Sequence, residues 1–370
     1  MQSLRILLLV VALSVPPFAA APGQWSINPK PFLDVAPVAT NGDVVFERPT
    51  AGARLSNGSI MVADAGAGSL VLLDSTGHVL RRLGRRGNGP NEFQAIWWLG
   101  QCAVDSVFVW DLMLKRMSLV TVDGAIRSQF PFPGGSYTAA SPHKIACSRA
   151  SIFAFQPLAT TGSPSTTGNS ALRGAAQVFI VQKDVIKSLG NFSGDEIVVM
   201  GGGGGPRPLG KQTSLAVIRD RVYVGTADSA FVDVLSLDGR RLAGVPLSIN
   251  RRRPSDRNYL SAVDEMLITV PAQVRSMVKE RLLSIPMPEQ LPPYKTIIAD
   301  SENLLWLLLS FPGDSETRLQ AVNEDGKIIA DLRIPLELTV FEIGSDYLLG
   351  SYEDSSSEPH VALFFMRRGH

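Results

Sequence analysis

Three acidic side chains stand where a hard cation could be held. Asp64 closes the run Ser59-Ile60-Met61-Val62-Ala63-Asp64, and Asp111 closes the look-alike run Ser106-Val107-Phe108-Val109-Trp110-Asp111. The two are 47 residues apart (111 − 64), and Glu47 precedes the first run. A single calcium-like divalent cation needs several oxygen ligands, and these carboxylates would supply them if they converge. The plainer reading has each carboxylate accepting backbone N–H groups of the turn that follows its strand, with no cofactor at all.

A second group is basic. Arg85, Arg86 and Glu92 lie in Gly84-Arg85-Arg86-Gly87-Asn88-Gly89-Pro90-Asn91-Glu92-Phe93 and are the candidate binding contacts, with Arg81 and Arg82 just before them. Arg251, Arg252, Arg253 and Arg257 form another cluster. Such clusters take anionic ligands or an envelope polymer, or they pair with local carboxylates. Nucleic acid is not expected, because aromatic interleaving is absent and net charge is only +1.

Other chemistry falls away on spacing. Gly205, Gly210 and Lys211 fit a phosphate loop, but Gln212 stands where Ser or Thr should hold magnesium. Pro206 and Pro208 also remove backbone donors, so the run reads as a flexible inter-blade loop. His78, His143, His360 and His370 are isolated, with no ligand-pair spacing. Trp97 and Trp98 are expected in the core, the other reading being a ligand platform. Cys102 and Cys147 head matching segments 45 residues apart (147 − 102). They either bridge or stay as two buried thiols, and spacing alone does not decide.

The elements that must position these groups are short strands. Apolar runs of about five residues end in Gly-containing turns such as Ser75-Thr76-Gly77 and Asp123-Gly124, which marks antiparallel hairpins. The order repeats six times with a period near 45. The expected fold is all-β: a six-bladed β-propeller over residues 43–370, with four-stranded antiparallel blades and a two-helix insertion at 254–285. In the insertion Leu260, Val263, Leu267 and Val270 make one apolar stripe, and Val274, Met277, Val278, Leu282 and Ile285 a second. It would either cap one face or close over a central pocket. Residues 160–174 read as a mobile Ser/Thr/Gly loop. Residues 24–42 read as an extended leader, and Val44-Val45-Phe46 as the strand that completes the last blade.

The segment Leu83 to Phe93 resembles the Gly-x-x-Gly-x-Gly-Pro-Gly-Glu-Phe linker of bacterial six-bladed propellers related to NHL-repeat and TolB-like proteins, with Asn91 in place of the usual Gly. The Val107 to Asp111 strand, the Asp123-Gly124 turn and Pro292-Pro293-Tyr294 continue the likeness. The resemblance implies the fold. It implies no single activity, because that superfamily holds binding proteins, lyases and metal-dependent lactonases.

Arg5 followed by the apolar run Ile6 to Val15 and Ala19-Ala20-Ala21 reads as a signal peptide over residues 1–23. No later window of 18 apolar residues follows, so no transmembrane segment is expected after cleavage. The expectation is a periplasmic or secreted monomer: a non-catalytic binding propeller for an unknown protein or envelope ligand. The alternative is a metal-dependent, lactonase-like hydrolase or lyase using channel carboxylates such as Glu47 and Asp111.

Overall fold

The middle strands of this protein are apolar at nearly every position because each sheet is covered on both faces. In the computed structural model, Ile60–Asp64 and Ser69–Leu73 are buried at all positions, whereas Val79–Leu83 is exposed at all but the last. The structure describes residues 25–38, 45–103, 106–131, 144–148, 151–157, 171–182, 185–200, 203–268, 270–334 and 337–369. The segment read as a signal peptide therefore lies outside the described residues.

Two short strands come first, β1 (Ser26–Ile27) and β2 (Leu33–Val35). Blade one is β3 (Pro49–Arg54), β4 (Ile60–Asp64), β5 (Ser69–Leu73) and β6 (Val79–Leu83). Blade two is β7 (Ile96–Ala103), β8 (Ser106–Asp111), β9 (Arg116–Thr121) and β10 (Ile126–Pro131). Blade three is β11 (Lys144–Ser148), β12 (Ser151–Pro157), β13 (Ala171–Gln182) and β14 (Val185–Met200), with β15 (Gly203–Pro206) as a fifth strand. Blade four is β16 (Ser214–Ile218), β17 (Arg221–Gly225), β18 (Phe231–Ser236) and β19 (Val245–Pro246). The helices α1 (Asp256–Leu267) and α2 (Ala272–Leu283) follow. Blade five is β20 (Thr296–Ala299), β21 (Leu305–Leu308), β22 (Thr317–Val322) and β23 (Ile328–Ile334). Blade six is β24 (Thr339–Ile343), β25 (Tyr347–Glu353) and β26 (Pro359–Arg367), completed by β1 and β2. Pairing within each blade is antiparallel. The chain is a six-bladed β-propeller.

Its core is a ring of seams. In β4, Met61 and Ala63 pack towards blade two with Phe93, Ile96 and Val107. Ile60 and Val62 pack the other way, against Tyr347, Leu349 and Leu363 of blade six. The strand's two-residue period is kept, but it serves two neighbours rather than core and solvent. The hairpin turn between the third and fourth strands docks on the preceding blade. Gly77 (φ 89°) leaves a Cβ only 2.9 Å from Val35, and at Gly326 (φ 77°) a Cβ would lie 1.5 Å from the Pro246 carbonyl oxygen. Only glycine combines that backbone with that approach.

Ring closure differs from the expectation. Val44 lies outside the described residues, and Val45 and Phe46 form no strand; they are buried in the seam between blades six and one, both N–H groups directed at the Pro37 carbonyl. The outer strand comes instead from the leader, where Leu33, Asp34 and Val35 pair with Leu363, Ala362 and Val361. Asp34 fixes the register, accepting the Tyr352 hydroxyl (2.7 Å) and meeting His360 Nδ1 at 2.9 Å.

Three other expectations shift. Of the loop expected at 160–174, residues 160–170 lie outside the described residues, and 171–174 already belong to β13. The glycine run supplies β15 and a turn whose Leu209 is buried against α1, so Gly203 to Gly210 is docked rather than flexible. The helices start as expected, with Ser255 and Asn258 forming a reciprocal capping box. Val263, Leu267, Leu282 and Ile285 are buried. Leu260 of α1 is instead 47% exposed, and Val274 and Met277 of α2 are 38% and 45% exposed, because α2 packs through Val278 and Leu282 rather than along its whole stripe.

Removing residues 1–38 is expected to strip the outer strand from β26 and bare its edge. Melting temperature should fall by roughly 5–10 °C, with aggregation. An unchanged melting curve would contradict closure by β2.

Candidate functional site

Asp64 and Asp111 occupy equivalent places in blades one and two. Asp64 accepts the N–H groups of Glu47, Arg48, Gly66 and Ala67 at 2.9–3.3 Å, with an Arg82 guanidinium nitrogen at 3.7 Å. Asp111 accepts those of Gln94, Ala95, Met113 and Leu114 at 2.7–3.3 Å. Each buried carboxylate thus ties the incoming inter-blade linker to the turn that leaves its strand. Glu47 is exposed and joins Asp64 only through its backbone. Among the described residues no three His, Cys, Asp or Glu side chains are grouped so as to hold an ion.

The linker is likewise engaged with its surroundings. Arg85 pairs with Glu92 at 2.8 Å, and Glu92 also accepts the Gly89 N–H, whose bond and the Arg85 charge hold its carboxyl below the usual range. Arg86 donates to the Ala65 and Gly66 carbonyls of blade one, and Arg116 of blade two donates to those of Gly89 and Glu92. Phe93 is fully buried in the seam between these blades, its ring so close to Gly84 (φ 75°) that a Cβ there would sit at 2.7 Å. Arg81 and Arg82 donate to the Gly124 and Val45 carbonyls. In the second basic cluster Arg251 donates to the Asp228 carbonyl and Arg252 pairs with Asp314. Trp97 is 53% exposed, against the expectation of a core position, because a register shift in β7 between Ile96 and Trp98 turns it outward.

Cys102 and Cys147 form a disulfide with Cα atoms 5.4 Å apart. It joins β7 to β11, the innermost strands of blades two and three. It also lines a cavity of about 720 Å³ at the mouth of the central channel. All six innermost strands contribute to that cavity: Arg54, Gln101 to Ala103, Cys147, Val217, Ala299, and Glu342 with Ile343. These residues sit at the C-terminal ends of their strands. The linker at 84–93 and the helical insertion join an outermost strand to the next innermost one, so they lie at the opposite end. Neither reaches the cavity.

Its polar centre is a three-residue cluster. Glu342 accepts the Arg54 N–H at 2.6 Å and the Tyr347 hydroxyl at 2.9 Å. The Arg54 guanidinium carbon lies 4.9 Å from the centre of the Tyr347 ring. Enclosure pushes the Glu342 carboxyl above its ordinary range and raises the Tyr347 phenol as well, the latter helped by the neighbouring carboxylate. Asp300, also on the wall, is committed: it accepts Trp306 Nε1 and an Arg368 guanidinium nitrogen, both at 2.8 Å. A second cavity of about 600 Å³, between blades four and five, is lined by Arg252, Asp314, Arg318 and Asp331, which pair with each other. The channel cluster carries no sequence motif. Its one signal is a charged residue inside an otherwise apolar run, Val340-Phe341-Glu342-Ile343.

Fold and cavity define a six-bladed propeller with a polar pocket at one end of its channel. No protein-family model matches the sequence, and no curated protein matches it. Among solved structures, a member of the DUF4221 family from Bacteroides vulgatus superposes with a TM-score of 0.56 at 12% identity, covering 94% of this chain and 100% of that one. A predicted exported protein from Bacteroides fragilis gives 0.51 at 10% identity, covering 94% and 96%. Virginiamycin B lyase from Staphylococcus aureus gives 0.43 at 11%, covering 92% and 88%. At these identities the likeness is one of fold. No helix among the described residues is long and apolar enough to cross a membrane.

Two outcomes are expected from substitution. Asp111→Ala orphans four backbone donors and should cost about 3 kcal/mol in denaturant unfolding, whereas Glu47→Ala should stay within about 0.5 kcal/mol. For Glu342, the unfolded carboxyl ionises near 4.5 and the native one higher. The unfolded chain therefore loses its proton first, and this group's contribution to stability falls as pH rises through that window. Glu342→Gln keeps an acceptor for Arg54 and can donate to Tyr347. The variant should gain on wild type as pH rises above about 4.5; a constant difference would contradict a raised carboxyl.

Proposed function

We propose that this chain is an exported, non-catalytic propeller that captures a small ligand at the mouth of its channel. The observation that carries the reading is the cavity of about 720 Å³ built by all six innermost strands around Arg54, Glu342 and Tyr347. Its size suits a small molecule rather than a protein surface. Its polar groups stand on strand ends held by the blades, which keeps them in place before a ligand arrives.

Support for export comes from three directions. The N-terminal run has the lengths and residue types of a signal peptide. The Cys102–Cys147 disulfide suits an oxidising compartment, periplasmic or outside the cell. A structure of similar fold belongs to a predicted exported protein. The Gly-rich segment at 84–93, similar to the linkers of NHL-like propellers, joins blades one and two through the buried Phe93, and the proposed ligand site lies at the other end of the channel.

The test uses the mature protein and an Ala103→Trp variant, which places an indole on the cavity wall. Both are incubated with the small-molecule fraction of an envelope extract, gel-filtered and examined by native mass spectrometry. Wild type should retain an added mass that the folded variant has lost. Equal retention by both, or retention by neither, would overturn the proposal.

A further inference from the structure

The Arg54 guanidinium differs from the other arginines that line cavities. Arg252 pairs with Asp314, Arg318 with Asp331 and Arg207 with Glu196. Among the described residues, Arg54 has no acceptor within hydrogen-bonding distance of its guanidinium; its one bonded donor is the backbone N–H given to Glu342. The charged group lies over the Tyr347 ring, 4.9 Å from its centre; Arg54 lines the channel-mouth cavity and also a smaller one of about 290 Å³ that it shares with Phe32, Asp346, Tyr347 and Phe365. A ring covering one face of a guanidinium leaves the in-plane N–H edge as its free recognition surface.

The surrounding charges do not cancel it. Asp300 is neutralised by Arg368 at 2.8 Å. Asp346, which shares the smaller cavity with Arg54, is exposed, makes no ion pair with it and accepts the Ser345 hydroxyl at 3.4 Å. Glu342 receives two hydrogen bonds, one from the Arg54 backbone N–H and one from the Tyr347 hydroxyl, yet makes no ion pair with the Arg54 guanidinium. A cation is therefore fixed in a partly enclosed pocket with its donors unspent.

We propose that the channel mouth binds a small organic anion whose carboxylate or phosphate oxygens are received edge-on by Arg54. A planar fork of N–H donors matches both groups in a two-bond geometry, and a pocket of about 720 Å³ leaves room for the organic body of such a ligand. Ser56, Gln101, Ser301 and Ser345 on the same wall supply polar surface for that body. The inference rests on the channel-mouth reading above and adds the charge of the ligand to it.

The experiment titrates wild type, Arg54→Gln, Arg54→Lys and Ala103→Trp with citrate, hexanoate and phenyl phosphate, and with hexanamide and phenol as neutral counterparts, by ligand-observed NMR. Circular dichroism and melting curves establish that the variants fold. At least one anion should bind wild type, with its neutral counterpart weaker. Arg54→Gln should lose roughly 10- to 100-fold, and Arg54→Lys, which keeps charge but not the fork, should fall between. The better of carboxylate and phosphate probes assigns the anionic group. Equal binding of neutral and anionic probes, unaffected by Arg54→Gln but abolished by Ala103→Trp, overturns the anion and leaves the channel reading standing. Binding insensitive to both substitutions, or no binding by any probe, overturns the anion and counts against the channel as well.

Discussion

The architecture depends on one backbone pairing, that of β2 with β26. A propeller is a ring of sheets, each needing a neighbour on both faces, and the ring is stable only if its first and last members are held together. Here the last blade supplies three strands from the C-terminal end of the chain, and the leader supplies the outer one. Asp34, Tyr352 and His360 fasten that strand by side chain as well as backbone. The seam between blades six and one, with Val35, Phe46, Ile60 and Leu349, is packed around that closure.

With the ring closed, the remaining seams follow one pattern. Middle strands give alternate side chains to the blades on either side, so their sequences read as unbroken apolar runs. Asp64 and Asp111 bind linker to turn in successive blades, each satisfying backbone donors that would otherwise be buried without partners. The disulfide between β7 and β11 joins two blades at the channel itself. Such a frame holds the C-terminal ends of the innermost strands in place, and the Arg54–Glu342–Tyr347 cluster is assembled there from blades one and six, on either side of the closure seam.

Much of this fold is legible in the sequence because its elements are local. Runs of about five apolar residues, Gly-containing turns and a period near 45 specify strands, hairpins and blades. What was hidden is non-local. Leu33-Asp34-Val35 is too short and too rich in neighbouring prolines to show a period, and its partner lies more than three hundred residues away. The exposure of Val274 and Met277 reflects how little of α2 the body covers, which no helical stripe encodes. Candidate site residues chosen for charge and spacing, namely Arg85, Arg86, Glu92, Asp64 and Asp111, are engaged with linkers and turns, because polar residues near turns most often satisfy backbone there. Arg54, Glu342 and Tyr347 are ordinary residues in three separate strands, and only the closed ring brings them together.

The account stands on the channel mouth being where the ligand sits. The most direct measurement is a crystal structure of the protein purified from its own host without ligand exchange. Density for a small molecule along the free edge of Arg54, among Glu342, Tyr347 and the Cys102–Cys147 bridge, is the predicted result. Ordered water alone at that place, with organic density instead in the cleft of Arg318 and Asp331 between blades four and five, would contradict it.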